Sequence, residues 1–270
     1  MRKSAVLLLA SLLATPAFTA NADAIADAAA SDTRSSQARL RDEYRHPQQT
    51  LRFFDVQPDM KVVEILPGGG WYSDILAPLL KADGKLVAAH FYVQEGSPGY
   101  YPRLRNAFKE KMAADGPYSA VELTAFDPIV PQEITTAGTA DRVLTFRNVH
   151  NWYMADKQDG VVNAMKTFYK ALKPGGILGV VDHRLPESDA DEKMASSGYM
   201  KQSYVIDMAE KAGFELVATS EINANAMDNA DHPKGVWTLP PSLRLGDEKR
   251  AHYLAIGESD RMTLKFKKPE

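Results

Sequence analysis

The chain has no cysteine among its 270 residues, which excludes a disulfide framework, a lipid-bearing cysteine and a zinc–thiolate cluster. It has no polybasic block: 32 Lys and Arg mix with 35 Asp and Glu along the chain. The net charge of −3 speaks against nucleic acid or an anionic membrane surface as the main partner. Long apolar runs are missing as well, since no stretch reaches the roughly 18 to 20 apolar positions of a membrane helix. What remains is 44% hydrophobic and 25% charged residues, enough for one sizeable core in a single α/β domain whose stability rests on packing.

The first residues are of another kind. Arg2 and Lys3 precede the apolar run Ala5 to Leu13, and small residues follow at Ala20, Ala22 and Ala24. This is the three-part layout of a secretory signal peptide over 1–22, with cleavage after Ala22 or Ala24. The expectation is export to a periplasm or the medium, then a soluble protein with no stable membrane insertion. Losing Arg2 and Lys3 leaves 30 basic against 35 acidic side chains. Residues 23–36 are rich in alanine, aspartate and serine, with too few apolar groups to offset ordering entropy. They read as a flexible tether to a domain over 37–270.

Inside that domain the apolar pattern switches between short runs and helical spacing. Leu40, Tyr44, Leu51, Phe53 and Phe54 mark two short helices divided at Pro47, and Val62, Val63, Ile65 and Leu66 suit a strand covered on both faces. Ile75, Leu76, Leu79 and Leu80 then follow at helical spacing. "GKLVAAHFY", "AVELTAFD", "ADRVLTFRN", "ILGVVDHR", "FELVATSEI" and "RMTLKFKKP" read as further strands, most of them separated by helix-sized segments. The alternation predicts a mainly parallel sheet with helices on both faces.

"VVEILPGGGWYSDIL", residues 62–76, puts Pro67, Gly68, Gly69 and Gly70 in the first strand-to-helix turn, where open α/β sheets bring backbone close to a ligand. Bare backbone lets amides approach the ligand, and the helix start favours negative charge; a tight turn needing glycine for its own geometry is the plain alternative. No Gly-Lys-Ser/Thr follows, so the turn is not a P-loop. Gly68, Gly70 and Ser73 match a dinucleotide fingerprint only loosely, and His90 stands where its second-strand acid belongs, which makes NAD the weaker option.

"VVEILPGGGW", "LKPGGILGVVDHR" and the "AGFEL" lead into the sixth strand resemble, in that order, class I S-adenosylmethionine-dependent methyltransferases over residues 40–268. More narrowly, "HPQQTLRFFDVQPDMKVVEILPGGGWY", "FRNVHNWY" and "SDRMTLKFKKP" resemble a group of exported bacterial proteins usually called predicted methyltransferases. The resemblance implies a Rossmann-like fold: a seven-stranded, mainly parallel sheet with helices on both faces and an antiparallel last strand. It also implies S-adenosyl-L-methionine as cofactor and methyl transfer to the oxygen, nitrogen or sulfur of a small molecule. Glu64 would orient the loop or accept from the cofactor's amino group, and the Pro67–Gly70 turn would pass under its methionine and ribose. Asp127 would accept from the adenine amino group, Phe126 would flank the ring, and Asn148 would sit near the methionine end. His90 departs from the Asp or Glu that usually meets the ribose.

His150 in "NVHNWY" resembles the base of small-molecule O-methyltransferases, which have a His-Asn/Asp-Trp run after strand four. A loop histidine bonded to backbone is the alternative. Asp182 would orient that base, and Arg184 would hold an anionic substrate or else close a strand end as an ion pair. Trp152 and Tyr153 would wall the substrate or pack in core or lid. Residues 223–257, long for a connection and carrying Trp237 and Pro240-Pro241, are a candidate lid or an external patch. The six histidines show no metal-ligand spacing, so no metal is expected. Two other functions stay open: a small-ligand-binding protein without turnover, and a dehydrogenase-like enzyme.

Overall fold

The computed structural model describes residues 18–114 and 116–270, with side-chain surroundings from residue 24 onward. Residues 1–17, most of the expected signal peptide, lie outside the described residues. The strands are β1 (Lys61–Ile65), β2 (Lys85–Phe91), β3 (Glu122–Phe126), β4 (Ala140–Phe146), β5 (Leu172–Leu185), β6 (Met200–Lys201), β7 (Glu215–Ser220), β8 (Pro233–Val236) and β9 (Arg261–Lys267). Seven of them form a sheet in the order β3-β2-β1-β4-β5-β9-β7, and the two-residue β6 adds an eighth at the end of β5. β1 to β5 pair in parallel, whereas β9 runs antiparallel to both β5 and β7, as expected from the sequence. The order reverses between β1 and β4, and that switch point opens a crevice at the carboxyl ends of the strands.

Alternation along β1 explains why it is apolar throughout. Val62 joins Leu86, Ala88 and Leu144 on one face, while Val63 and Ile65 join Val87, Ala89 and Val143 on the other. The second face is covered by α7 (Val149–Ala171) and α8 (Gln202–Lys211). Against the first pack α1 (Phe18–Ala29), α4 (Pro47–Phe53), α5 (Ser73–Leu80) and α6 (Tyr100–Ala113). Gly179 in β5 makes room for Phe54, since a Cβ there would lie 2.8 Å from its ring. Two short helices, α2 (Ser36–Arg39) and α3 (Asp42–Arg45), and α9 (Arg250–Ile256) complete the chain. Among the described residues no helix is long and apolar enough to cross a membrane.

The expected tether over 23–36 is instead part of the fold. Ile25, Ala28 and Ala29 fall at i, i+3 and i+4 of α1 and are buried against the core face that holds Leu51 and Ile75. Alanine counts for little in composition, yet two of them let a helix lie close to its neighbours. Arg34 then ties the segment down, donating to the Ala29 carbonyl at 2.7 Å and forming an ion pair with Asp42. Pro78 lies inside α5 and has no N–H for the Asp74 carbonyl one turn back; the Thr33 hydroxyl donates to that carbonyl at 3.2 Å. The expected cleavage positions after Ala22 and Ala24 both fall within α1.

Candidate active site

The crevice at the switch point is a cavity of about 620 Å³, within the range that holds a cofactor-sized ligand. Its floor is the ends of β1 and β4, where the chain turns sharply: Leu66 and Arg147 both adopt the left-handed region, at φ 47° and 62°. Ser35, Ala38 and Arg41 close one side, and Trp237 with Pro240, Pro241 and Ser242 closes another. The candidate lid segment therefore contributes to the wall, and so does the presumed tether.

Gly68 and Gly69 line the cavity, and a Cβ on either would meet nothing within 4 Å. Gly70 differs: at φ 84° it packs against Tyr118 and Phe108, so it shapes the turn and does not line the cavity. Pro67 lines the cavity beside them. Glu64 is buried in the same wall, and its Oε2 accepts from the Ser73 hydroxyl at 2.5 Å. Burial pushes its pKa up to about 7, against the lowering effect of that hydrogen bond. Lys111 is nearby but engaged, donating to the Gly69 carbonyl and pairing with Asp74.

His90 serves the loop from beneath. Its Nδ1 accepts from the Phe91 amide at 2.9 Å, which leaves Nε2 to donate to the Gly68 carbonyl at 3.1 Å. Burial lowers its pKa to about 4, so it is the neutral tautomer that holds the turn. It is fully buried and does not line the cavity, so the structure makes it a support for the loop and not a ribose partner.

Beside β1, α7 begins directly after β4. Asn148 donates through Nδ2 to the Ile65 carbonyl at 3.0 Å and to Thr145, joining the ends of β1 and β4; among the described residues nothing donates to its Oδ1. His150, in the first turn of α7 and buried at 4% exposure, lines the cavity. Asp182, at the end of β5 and wholly buried, accepts from the backbone amides of His150 (2.9 Å) and His183 (3.0 Å) and meets His150 Nδ1 at 2.9 Å. Since a carboxylate accepting two amides is an acceptor for the ring as well, Nδ1 carries the proton and Nε2 keeps its lone pair. The His183 ring lies 5.1 Å from that of His150 and bonds Ser259 through Nδ1. Burial first, then His150 and the charges of Arg261, Arg147 and Arg45, hold the His183 pKa well below the usual histidine value.

These three side chains bear on the expectation of no metal. Sequence spacing cannot see residues that converge from different strands, and the ligand atoms of His150, Asp182 and His183 lie within 4.8 Å of one another. Their hydrogen bonding suits a carboxylate–imidazole pair: three N–H groups already occupy the Asp182 oxygens.

A group of arginines forms the third feature. Arg41 and Arg45, from the short helices before β1, pair with the buried Glu258, and so does Arg261. Arg45 is 2% exposed and lies over the Trp71 ring at 4.6 Å; neither of its terminal nitrogens has a partner. The Arg147 guanidinium has no hydrogen bond or ion pair among the described residues, and burial lowers its pKa to about 10, still cationic at neutral pH. Arg41, Arg45 and Arg147 all line the cavity. The polar "FRN" ending an apolar strand was the visible signal of Arg147, and Arg45 stands just before Pro47.

Several expected site residues lie elsewhere. Phe126 is a core residue between Trp152 and Phe168, and Trp152 is buried beside it at 1% exposure, so neither reaches a ligand in the cavity. Asp127 bonds the amides of Ile129 and Val130 in a local turn and faces a separate surface depression. Tyr153 packs edge-on against Tyr204, away from the cavity. Arg184 closes the strand end, paired with Asp260 and Glu221 at 2.7 to 3.0 Å; four of its five N–H groups donate to these two carboxylates, and it does not line the cavity. Trp237 does line the cavity, with Arg244 over its ring.

A sheet ordered in this way, with a glycine turn and a buried acid at its switch point, defines the Rossmann-like class I methyltransferase fold. Solved structures bear this out. A SAM dependent methyltransferase from Aquifex aeolicus superposes with a TM-score of 0.54 at 18% identity, over 84% of this chain and 92% of that one. The [4+2]-cyclase SpnF gives 0.52 at 16%, over 88% and 84%, and the CurJ carbon methyltransferase 0.53 at 11%, over 88% and 56%. No family model and no curated protein matches the sequence.

Proposed function

We propose that the protein is an exported S-adenosylmethionine-dependent methyltransferase acting on a small molecule. The observation that carries this reading is Glu64: a buried acid, with no cation paired to it among the described residues, beside the open backbone of Gly68 and Gly69. Such an acid fits a ligand bearing positive charge, as the ammonium and sulfonium of this cofactor do. Glu64, Gly68, Gly69 and Asn148 would hold its methionine half. Bound there, the cofactor supplies an electrophilic methyl group with a neutral thioether as leaving group.

The chain's own task is to align an acceptor and free its lone pair. His150 Nε2 takes the acceptor's proton, and Asp182 fixes the ring and stabilises the imidazolium that results. Burial keeps that pair from bulk water. Calorimetry of the mature protein with S-adenosylmethionine and S-adenosylhomocysteine tests the reading: binding of either is expected, and silence with both sinks it. Export is checked by the N-terminal sequence of secreted protein, expected to begin at Asp23 or Ile25.

A second reading keeps the fold and cavity without methyl transfer. What favours it is the nucleoside side, where His90 supports the loop and Asp127 faces away, so the usual ribose and adenine partners do not line the cavity. Silence with both sulfur compounds is the result it expects.

A further inference from the structure

We infer that the acceptor is an anion, its carboxylate or phosphate held by Arg41, Arg45 and Arg147 on the side of the cavity where Arg45 lies over Trp71. The inference rests on the reading above in one respect: it assigns the glycine end to the cofactor.

The charges that line the cavity have unequal company. Near Glu64 the charged neighbours are Asp74 and Lys111, which pair with each other. Around His183, by contrast, act Arg261, Arg147 and Arg45, and its ring lies against that of His150. The arginines therefore cluster where the proposed base is. Four of them, with Arg41, surround the single carboxylate of Glu258. Arg45 keeps two buried terminal nitrogens without partners, and the Arg147 guanidinium has no hydrogen bond or ion pair among the described residues. Guanidinium does not shed its proton to relieve this, so the excess positive charge stands until an anion enters. The cofactor brings no net negative charge: with sulfonium, ammonium and carboxylate it is a monocation. Planar, forked donors such as these match carboxylate and phosphate oxygens two at a time.

The test uses the mature protein in low-salt Tris chloride, titrated with benzoate, with the neutral benzamide and with inorganic phosphate, each alone and with saturating S-adenosylhomocysteine. At least one anion should bind and raise the melting temperature, benzamide should not, and the anion should still bind when S-adenosylhomocysteine is present. Which of benzoate and phosphate binds tells carboxylate from phosphate. Arg147→Gln should weaken the anion about tenfold or more, as expected for loss of a charged bidentate contact. Having no partner to lose, that variant should also melt higher than the parent without ligand. Arg41→Gln, at the cavity rim, gives a second variant should Arg147→Gln not fold. No anion binding, or equal binding by the variants, overturns the inference. Competition between anion and S-adenosylhomocysteine also overturns it, because the arginines would then hold the cofactor's own carboxylate, while the methyltransferase reading stands. Anion binding without any S-adenosylhomocysteine binding has the converse meaning: the methyltransferase reading fails and the anion site survives.

Discussion

Glu64 and Glu258 are both buried acids, and their surroundings move them in opposite directions. For Glu64 burial raises the pKa from 4.5 to about 7, equivalent to about 3 kcal/mol. The folded protein then holds a proton that the unfolded chain releases, so Glu64 lowers stability as pH rises between these values. Glu64→Gln should match the parent near pH 5 and exceed it by up to about 3 kcal/mol at pH 8, read by urea unfolding. Because a cationic ligand favours the ionised acid, S-adenosylmethionine should bind the parent more tightly at pH 8 than at pH 6, and the variant equally at both. For Glu258 burial works upward but four arginines overcome it and hold the pKa at about 2. Its stabilisation is present above the ordinary Glu range and is lost as pH falls toward 2. Glu258→Gln leaves the arginines without their counter-charge and should lower stability by about 3–5 kcal/mol at neutral pH. His150→Ala should reduce transfer to a hydroxyl acceptor by about 10² to 10⁴ fold, and unchanged turnover would dismiss it as the base.

Among the elements, the glycine turn divides its labour in a way mutation can resolve. Gly70→Ala forces a side chain into φ 84° and 3.0 Å from the Tyr118 hydroxyl, and should lower stability by about 1–3 kcal/mol. Gly69→Ala meets open space, so it should leave thermal stability nearly unchanged while weakening ligand binding measured by calorimetry. The turn was legible in the sequence because strand periodicity, glycine and helix periodicity are all local signals. His150 and Asp182 were legible for a related reason: they follow and end the adjacent strands β4 and β5, whose carboxyl ends form the crevice. Phe126 and Asp127 had the right positions along the chain, but position does not fix direction: one ring turned to the core, and the carboxylate was taken by two local amides. The ion pair of Arg45 was not legible, since its partner Glu258 lies 213 positions away.

For the whole molecule, α1 shows how a weakly apolar segment can matter. Ile25→Ala should lower stability by about 2–5 kcal/mol in denaturant unfolding, and because the chain runs from α1 into Ser35 and Ala38 of the cavity wall, ligand affinity should fall with it. The ion pairs of Arg41 and Arg45 with Glu258 bear on assembly too, since they join positions separated by 217 and 213 residues. A ribosome delivers the arginines long before their carboxylate. Until the later one emerges, the earlier arginines have no counterion and the basin they border has no settled field. Occupancy by an anion would thus report that Glu258 has taken its place, and a polypeptide cut short before it should remain empty even where its sheet has begun to form.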